Sequence, residues 1–360
     1  MVFLKGPGSD ICRGTQNLKL RHCMWYANHN NNNKFGGLGI RSAVDLAPSS
    51  FLAAFHASQD LQARILQVQS IAASSYYNTA LDCWKSLSQT TPPLSPMVYK
   101  QSHWDKPVVE AKFQQLLTNS TERARLLAVA APHSGDWLHA LPLSSCGLRL
   151  DNESIRVAVG YRVGANLCQI HSCPCGTLVN SKGSHVLSCK KSHTRILRHN
   201  SLNEVVFRAL VRAGVPSIKE PSGLLRSDGK RPDGATQIPW ASGKCLTWDV
   251  TVTDTLAPSY AALSSVSAGS AAESAAKRKE SKYAAIMQTF DFVPLAFETM
   301  GPINDTARAF LSQLGKRLTL TSGDIRETAF LFQRISITVQ RFQNLALLDS
   351  FVNLGDDSDD

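Results

Sequence analysis

The stretch CPCGTLVNSKGSHVLSC, residues 173–189, brings three thiols and an imidazole together within seventeen residues. Cys173, Cys175, His185 and Cys189 follow the spacing C-x-C-x9-H-x3-C. Thiolate sulfur and imidazole nitrogen are the ligands zinc prefers, and four of them close a tetrahedral shell. Gly176 and Gly183 allow the tight turns on which such ligands sit. A shell filled by protein on all four sides leaves no position for a substrate, so the expected zinc is structural. Cys168, His171 and His193 lie near enough in sequence to replace one of the four. The competing reading is a set of unrelated buried thiols beside a core histidine.

The remaining cysteines point away from oxidation. Nine is an odd number, and the N-terminal MVFLKGPGSDICRG breaks at Gly6-Pro7-Gly8 and does not read as a secretion signal. No apolar stretch approaches the ~20 residues that cross a bilayer. The expected setting is nuclear or cytoplasmic, with no membrane partner. The formal net charge is +10, and between residues 186 and 232 ten Lys/Arg stand against three Asp/Glu. Such an excess suits a polyanion, although a solvated basic face would show the same balance. Lys190, Lys191 and Arg195, just after the cysteine cluster, are candidate phosphate contacts.

The order of textures predicts a mixed α+β chain. Residues 1–34 are irregular and include the polar tract Asn28 to Asn33. Residues 35–145 read as helical, with helices expected over 57–87 and 108–131 and a proline break at 90–96. Residues 146–200 carry a linker, in which a strand and then a helix are expected after Leu148, and the zinc knuckle. Residues 201–301 read as an α/β core: a helix over 201–213, strands over 246–254 and 292–301, and an alanine-rich helix between the strands. Residues 302–351 predict two amphipathic helices split at Ser322-Gly323, with Asp324 as N-cap and Glu327 completing a capping box. Residues 352–360 form an acidic tail.

A second constellation lies in KRPDGATQIPWASGKCLTWDVTVTD, residues 230–254. Asp233 and Asp249 stand on neighbouring segments, joined by a loop with Gly234, Pro239 and Gly243. Asp249 falls mid-strand, where an acid is costly unless it is paired or holds a metal. Two carboxylates suit Mg²⁺ or Mn²⁺. A strand–turn–strand nuclease wants a lysine two residues after the second acid, and here that position is Thr251. Lys279 offers a replacement. It shares a helix face with Tyr283 at i, i+4, and Ala271, Ala272, Ala275 and Ala276 let that helix approach a sheet. Lys277 and Lys282 are expected on other faces. Glu204 and Glu220 are weaker candidates near the site. The competing reading is a capped turn with a structural salt bridge.

The motif order is a zinc knuckle, Arg198-His199-Asn200, Glu220-Pro221, Arg231-Pro232-Asp233, DVTV from Asp249, and KESKY from Lys279 to Tyr283. It resembles the restriction-like endonuclease region at the C-terminal end of site-specific, early-branching non-LTR (LINE-type) retrotransposon polyproteins. The resemblance runs over residues 35–344 and includes the FGGLG segment, which looks like the thumb-to-linker region after the reverse transcriptase. It implies a PD-(D/E)xK core whose lysine has moved to a helix. Asp233 and Asp249 would be catalytic metal ligands, and Lys279 and Tyr283 would complete the site. Arg198, His199 and Arg231 would join the basic flank in holding DNA, with element RNA as a second partner. The polymerase's Phe/Tyr-x-Asp-Asp turn is missing; Gly355 to Asp357 reads as acidic tail. A reverse transcriptase would therefore act in trans. The alternative is a nucleic-acid-binding remnant without catalysis, and a weaker one is a decayed fragment without function.

Overall fold

A computed structural model describes residues 35–39, 42–69, 71–119, 122–224 and 231–351. The N-terminal tract, Cys12, Cys23 and the acidic tail lie outside the described residues. The chain divides into two compact units at the Arg123/Ala124 bond.

The smaller unit is helical. It comprises α1 (Ala43–Leu66), α2 (Ser75–Ser88) and α3 (Gln101–Asn119). The helix expected over 57–87 is two helices, because Gln67 turns left-handed and ends α1 while Ser74 caps α2 through its hydroxyl. The core forms around Leu52, Trp84, Trp104 and Val108. Buried indoles need a partner for their N–H, and Trp84 donates to the Trp104 carbonyl at 2.8 Å.

The larger unit includes α4 (Arg123–Ala130) from Ala124 on, and α5 (Asn152–Val163). Residues 148–150 form no strand; instead Asp151 caps α5 by accepting the Ser154 N–H at 2.8 Å. A two-stranded ribbon, β1 (His171–Ser172) and β2 (Leu178–Val179), holds the cysteine region. Helix α6 (Thr194–Arg212) follows and starts seven residues earlier than the sequence predicts.

The main sheet has the order β3 (Ser217–Lys219), β4 (Gly234–Ala241), β5 (Lys244–Thr253), β6 (Asp291–Glu298). The first three strands are antiparallel, and β6 runs parallel to β5. The β4–β5 hairpin turns at Ser242 and Gly243, both at positive φ, as a two-residue turn that matches strand twist requires. Gly234 and Pro239 lie within β4 rather than in a loop. Pro239 lacks an N–H for the ladder, and the register shifts on both sides of it.

Helices α7 (Pro258–Val266) and α8 (Ser270–Lys282) cross from β5 to β6. Strand alternation sorts the two sheet faces. Leu246, Trp248, Val250, Leu295 and Phe297 join the large core with α6, α9 (Asp305–Ser322) and α10 (Glu327–Leu348). Asp249 and Ala296 face the other way, where Ala272, Ala275 and Ala276 of α8 pack closely on Ala296. The expected capping box is absent: Asp324 binds the Arg326 N–H and guanidinium, and Glu327 pairs with Arg212 at 2.7 Å. Among the described residues, no helix is long and apolar enough to cross a membrane.

Candidate functional site

The cysteine cluster assembles as its spacing predicts. Ligand atoms of Cys173, Cys175, His185 and Cys189 all lie within 4.8 Å of one another. Cys173 and Cys189 bring their sulfurs to 3.7 Å, and Cys175 Sγ lies 3.1 Å from His185 Nε2. Two sulfurs at ~2.3 Å from a tetrahedral zinc would stand about 3.8 Å apart, so the donor set fits the metal. Gly176 and Gly183 take positive φ at the two bends. Gly183 is also crowded: a Cβ there would come within 2.9 Å of the Tyr161 hydroxyl, which donates to the Gly183 carbonyl.

The cluster is set into apolar packing. Cys173, Cys189, Val179, Val186 and Leu187 share one core with Tyr161 and with Leu347 of α10. Burial pushes the Cys173 thiol up to about 11, while hydrogen bonding to Thr177 pulls Cys175 down to about 6. Cys168, His171 and His193 are not part of the cluster. Cys168 leans on the Asn180 carbonyl, and His171 Nε2 lies 2.9 Å from Ser350 Oγ while its ring stacks on Phe351. A Cys3His cluster able to hold a metal such as zinc is therefore present, and among the described residues it is the one such group of three or more.

The acid pair lies where β4 leaves the sheet. The ladder runs to Gly234 opposite Trp248. The N–H of Val250, which the next pair would have met, is taken by Asp233 Oδ2 at 2.5 Å. Gly234 is required by contact rather than by φ, since a Cβ would fall 2.0 Å from the Trp248 ring. Helix α6 steadies the same turn. Asn203 donates to the Asp233 carbonyl at 3.3 Å and accepts the Trp248 indole N–H at 2.8 Å. One turn earlier, His199 Nε2 stands 3.1 Å from Asp233 Oδ2. That is hydrogen-bond distance without hydrogen-bond direction: both ring nitrogens are buried, and neither makes a hydrogen bond.

From the opposite face, α8 brings Lys279 into an ion pair with Asp249, whose side chain is almost wholly buried. Tyr283, just past the end of α8, donates its hydroxyl to the Arg231 carbonyl at 2.9 Å. Lys282 was expected on another face, but its Nζ lies 2.9 Å from that hydroxyl, and its charge acts on Asp233. Burial, and then the Asp249 charge, push Asp233 up to about 7 against the pull of Val250, Lys279 and Lys282. Burial also holds His199 below its ordinary value, opposed by Asp249.

Two expected phosphate contacts sit differently from the rest. Lys190, Lys191, Arg195 and Arg231 are exposed. Arg198 is only 4% exposed. It lies on the apolar stripe of α6 with Leu202 and Val206, and the Asp254 charge supports its guanidinium against burial. It is a core cation, out of reach of an external phosphate. His199 likewise turns inward to Asp233. Glu204 is spent on Arg208 at 2.5 Å and Lys219 at 2.8 Å, and Glu220 pairs with Arg231.

Sequence reading missed Asn203, although its place one turn after His199 was a usable signal. It also missed Glu298. This wholly buried last residue of β6 accepts the Ala272 N–H at 3.0 Å and the Thr255 hydroxyl at 2.9 Å. Its carboxylate thereby holds the first turn of the helix that carries Lys279. No protein-family model matches the chain, and no curated protein matches its sequence.

Proposed function

We propose that this chain binds nucleic acid through a zinc-stabilised knuckle and the basic start of α6. The four-ligand cluster carries this reading. It fixes the segment from which Lys190, Lys191 and Arg195 project into solvent. Cationic side chains on a rigid support neutralise phosphates and release counterions. DNA is the first partner and RNA the second, and a nuclear setting accords with both. Binding of labelled duplex by zinc-loaded protein should weaken steeply with salt, and chelation should abolish it. Equal affinity before and after chelation would remove the knuckle from the binding surface.

A second reading, divalent-metal-dependent nicking of DNA, is favoured by the convergence of Lys279 and Asp249 beside Asp233. It rests on the resemblance to the nuclease region of non-LTR retrotransposon polyproteins. In that reading Asp233 and Asp249 would hold a divalent ion, which supplies an acidified water and polarises the phosphate. Lys279 would balance charge developing on the phosphorane oxygens. Tyr283 and Lys282 would fix the Arg231 backbone at the rim. The test is relaxation of supercoiled plasmid with Mg²⁺ or Mn²⁺. Equal nicking by wild type and Asp249→Ala sinks the reading, whereas binding without nicking leaves the first reading alone.

A further inference from the structure

We propose that α1 of the smaller unit pairs with α1 of a second copy of this chain, antiparallel, along an apolar row that the unit leaves bare. The inference stands apart from the nucleic-acid and nicking readings.

A surface helix needs one apolar stripe, which it turns to its core. Helix α1 has two. Leu52 and Ala53 face inward and pack with Trp84, Trp104 and Val108. On the other side Phe51, Ala54, Ser58, Leu61 and Ile65 recur at spacings of three and four. Val44 and Ala47 extend the row toward the helix start. This is the a/d alternation of a coiled coil, which keeps one narrow line of a helix facing a partner helix. The large members lie open: Val44 is 78% exposed, Leu61 52% and Ile65 69%. Scattered exposed apolar residues are ordinary, but a row sustained over about six turns marks an interface. Phe51 is held in place for it. Its ring stacks on Phe55 at 6.4 Å, and Phe55 packs on Tyr77 of α2 at 4.6 Å.

The row fits its own reverse, as a two-fold interface requires. About an axis level with His56, Ala54 of one copy meets Ser58 of the other. These two small layers let the backbones close at the middle. Phe51 meets Leu61 on either side of them, and Ala47 meets Ile65 beyond. Charge chooses the direction. Ser50, Ala57 and Arg64 flank the row on one side, and Pro48, Phe55 and Gln62 on the other, so Arg64 is the one charge beside it. Antiparallel pairing sends the two Arg64 side chains to opposite ends and sets the helix dipoles against each other favourably. Parallel pairing would bring both guanidinium groups to one level, where they repel.

The experiment uses the full chain loaded with zinc. Sedimentation equilibrium across about 1–100 µM should follow a monomer–dimer equilibrium, with the mass rising above the 39.2 kDa of one chain. Leu61→Glu with Ile65→Glu should weaken pairing about tenfold or more. Its helical signal and unfolding midpoint should stay as in wild type, because both side chains face solvent in the single copy. Mild oxidation of a mixture of Phe51→Cys and Leu61→Cys proteins should join position 51 of one copy to position 61 of the other, as read by peptide mass spectrometry. Neither protein alone should join through its new thiol. The cross-link needs no charged variant, so it decides the matter if the glutamates unfold the unit. A chain that stays monomeric throughout that range overturns the proposal. So does a dimer that the two glutamates leave intact. Self-joining of Phe51→Cys overturns the antiparallel order.

Discussion

The knuckle and the sheet site, both in the larger unit, hold their polar groups in opposite ways. In the knuckle the four donors face one another, Cys173 toward Cys189 and Cys175 toward His185. Without a metal, the buried Cys173 must keep its proton, and the segment loses the link that joins four points of the chain. In the sheet site each acid already has its own partner: Lys279 for Asp249 and the Val250 N–H for Asp233. That site balances its charge from within. One centre is therefore a fastening built to be closed by an ion, and the other a socket closed by the protein's own groups.

Removing zinc should produce the largest effect. Cys189→Ser, or chelation, should take the metal content from one per chain to none. It should lower the stability of the larger unit by at least ~4 kcal/mol, part of the ~10–16 kcal/mol that structural zinc contributes in isolated knuckles. Denaturant unfolding with elemental analysis reads both. A knuckle that unfolds at the same midpoint with and without zinc would erase the contrast.

The next effect separates catalysis from folding. Asp249→Asn should reduce plasmid nicking by about 10²-fold or more, the scale for losing a charge-organising group at a reaction centre. Its unfolding midpoint should stay within ~1 kcal/mol of wild type, because loss of the Lys279 pair is offset by relief of the repulsion between Asp249 and Asp233. A large destabilisation would make the sheet site a fastening too.

Gly234→Ala probes the ground on which the socket stands. The added Cβ would meet the Trp248 ring at 2.0 Å, so a cost of ~1–3 kcal/mol in denaturant unfolding is expected from overpacking. The smallest effect belongs to the surface. Replacing Lys190, Lys191 and Arg195 by alanine should leave stability unchanged and weaken DNA binding. The salt slope should fall by up to ~0.9 for each phosphate that is no longer neutralised. An unchanged slope would move the binding surface elsewhere.

The same contrast explains what could be read from the residues. The knuckle's ligands lie so close in sequence that turn geometry alone brings them together, and residue types then name the metal. Lys279 and the alanines of α8 were legible because the 3.6-residue period puts them on definable faces. Lys282 was misplaced because it sits in the last turn of α8, where the chain bends and the ammonium reaches back to Tyr283. Arg198 was misread for a different reason. Taken as part of a basic flank, it looked like a phosphate contact; within α6 it shares the stripe of Leu202, Val206 and Ala209. The partner that makes its burial tolerable, Asp254, lies beyond the hairpin, where no local pattern reaches. The strand expected after Leu148 failed because the Asp151 cap gives those residues a helix to precede rather than a sheet to join.

Glu298 sets a length as well as a contact. By gripping the Ala272 N–H, it anchors α8 at one end. The ammonium that meets Asp249 leaves the helix seven residues later, at Lys279. At 1.5 Å per residue this is a measured stroke of about 10 Å. One residue more or fewer between the anchor and Lys279 would swing the side chain through about 100° and take it away from Asp249. Strand β6 thus works as the zero mark of a ruler for the 272–279 interval.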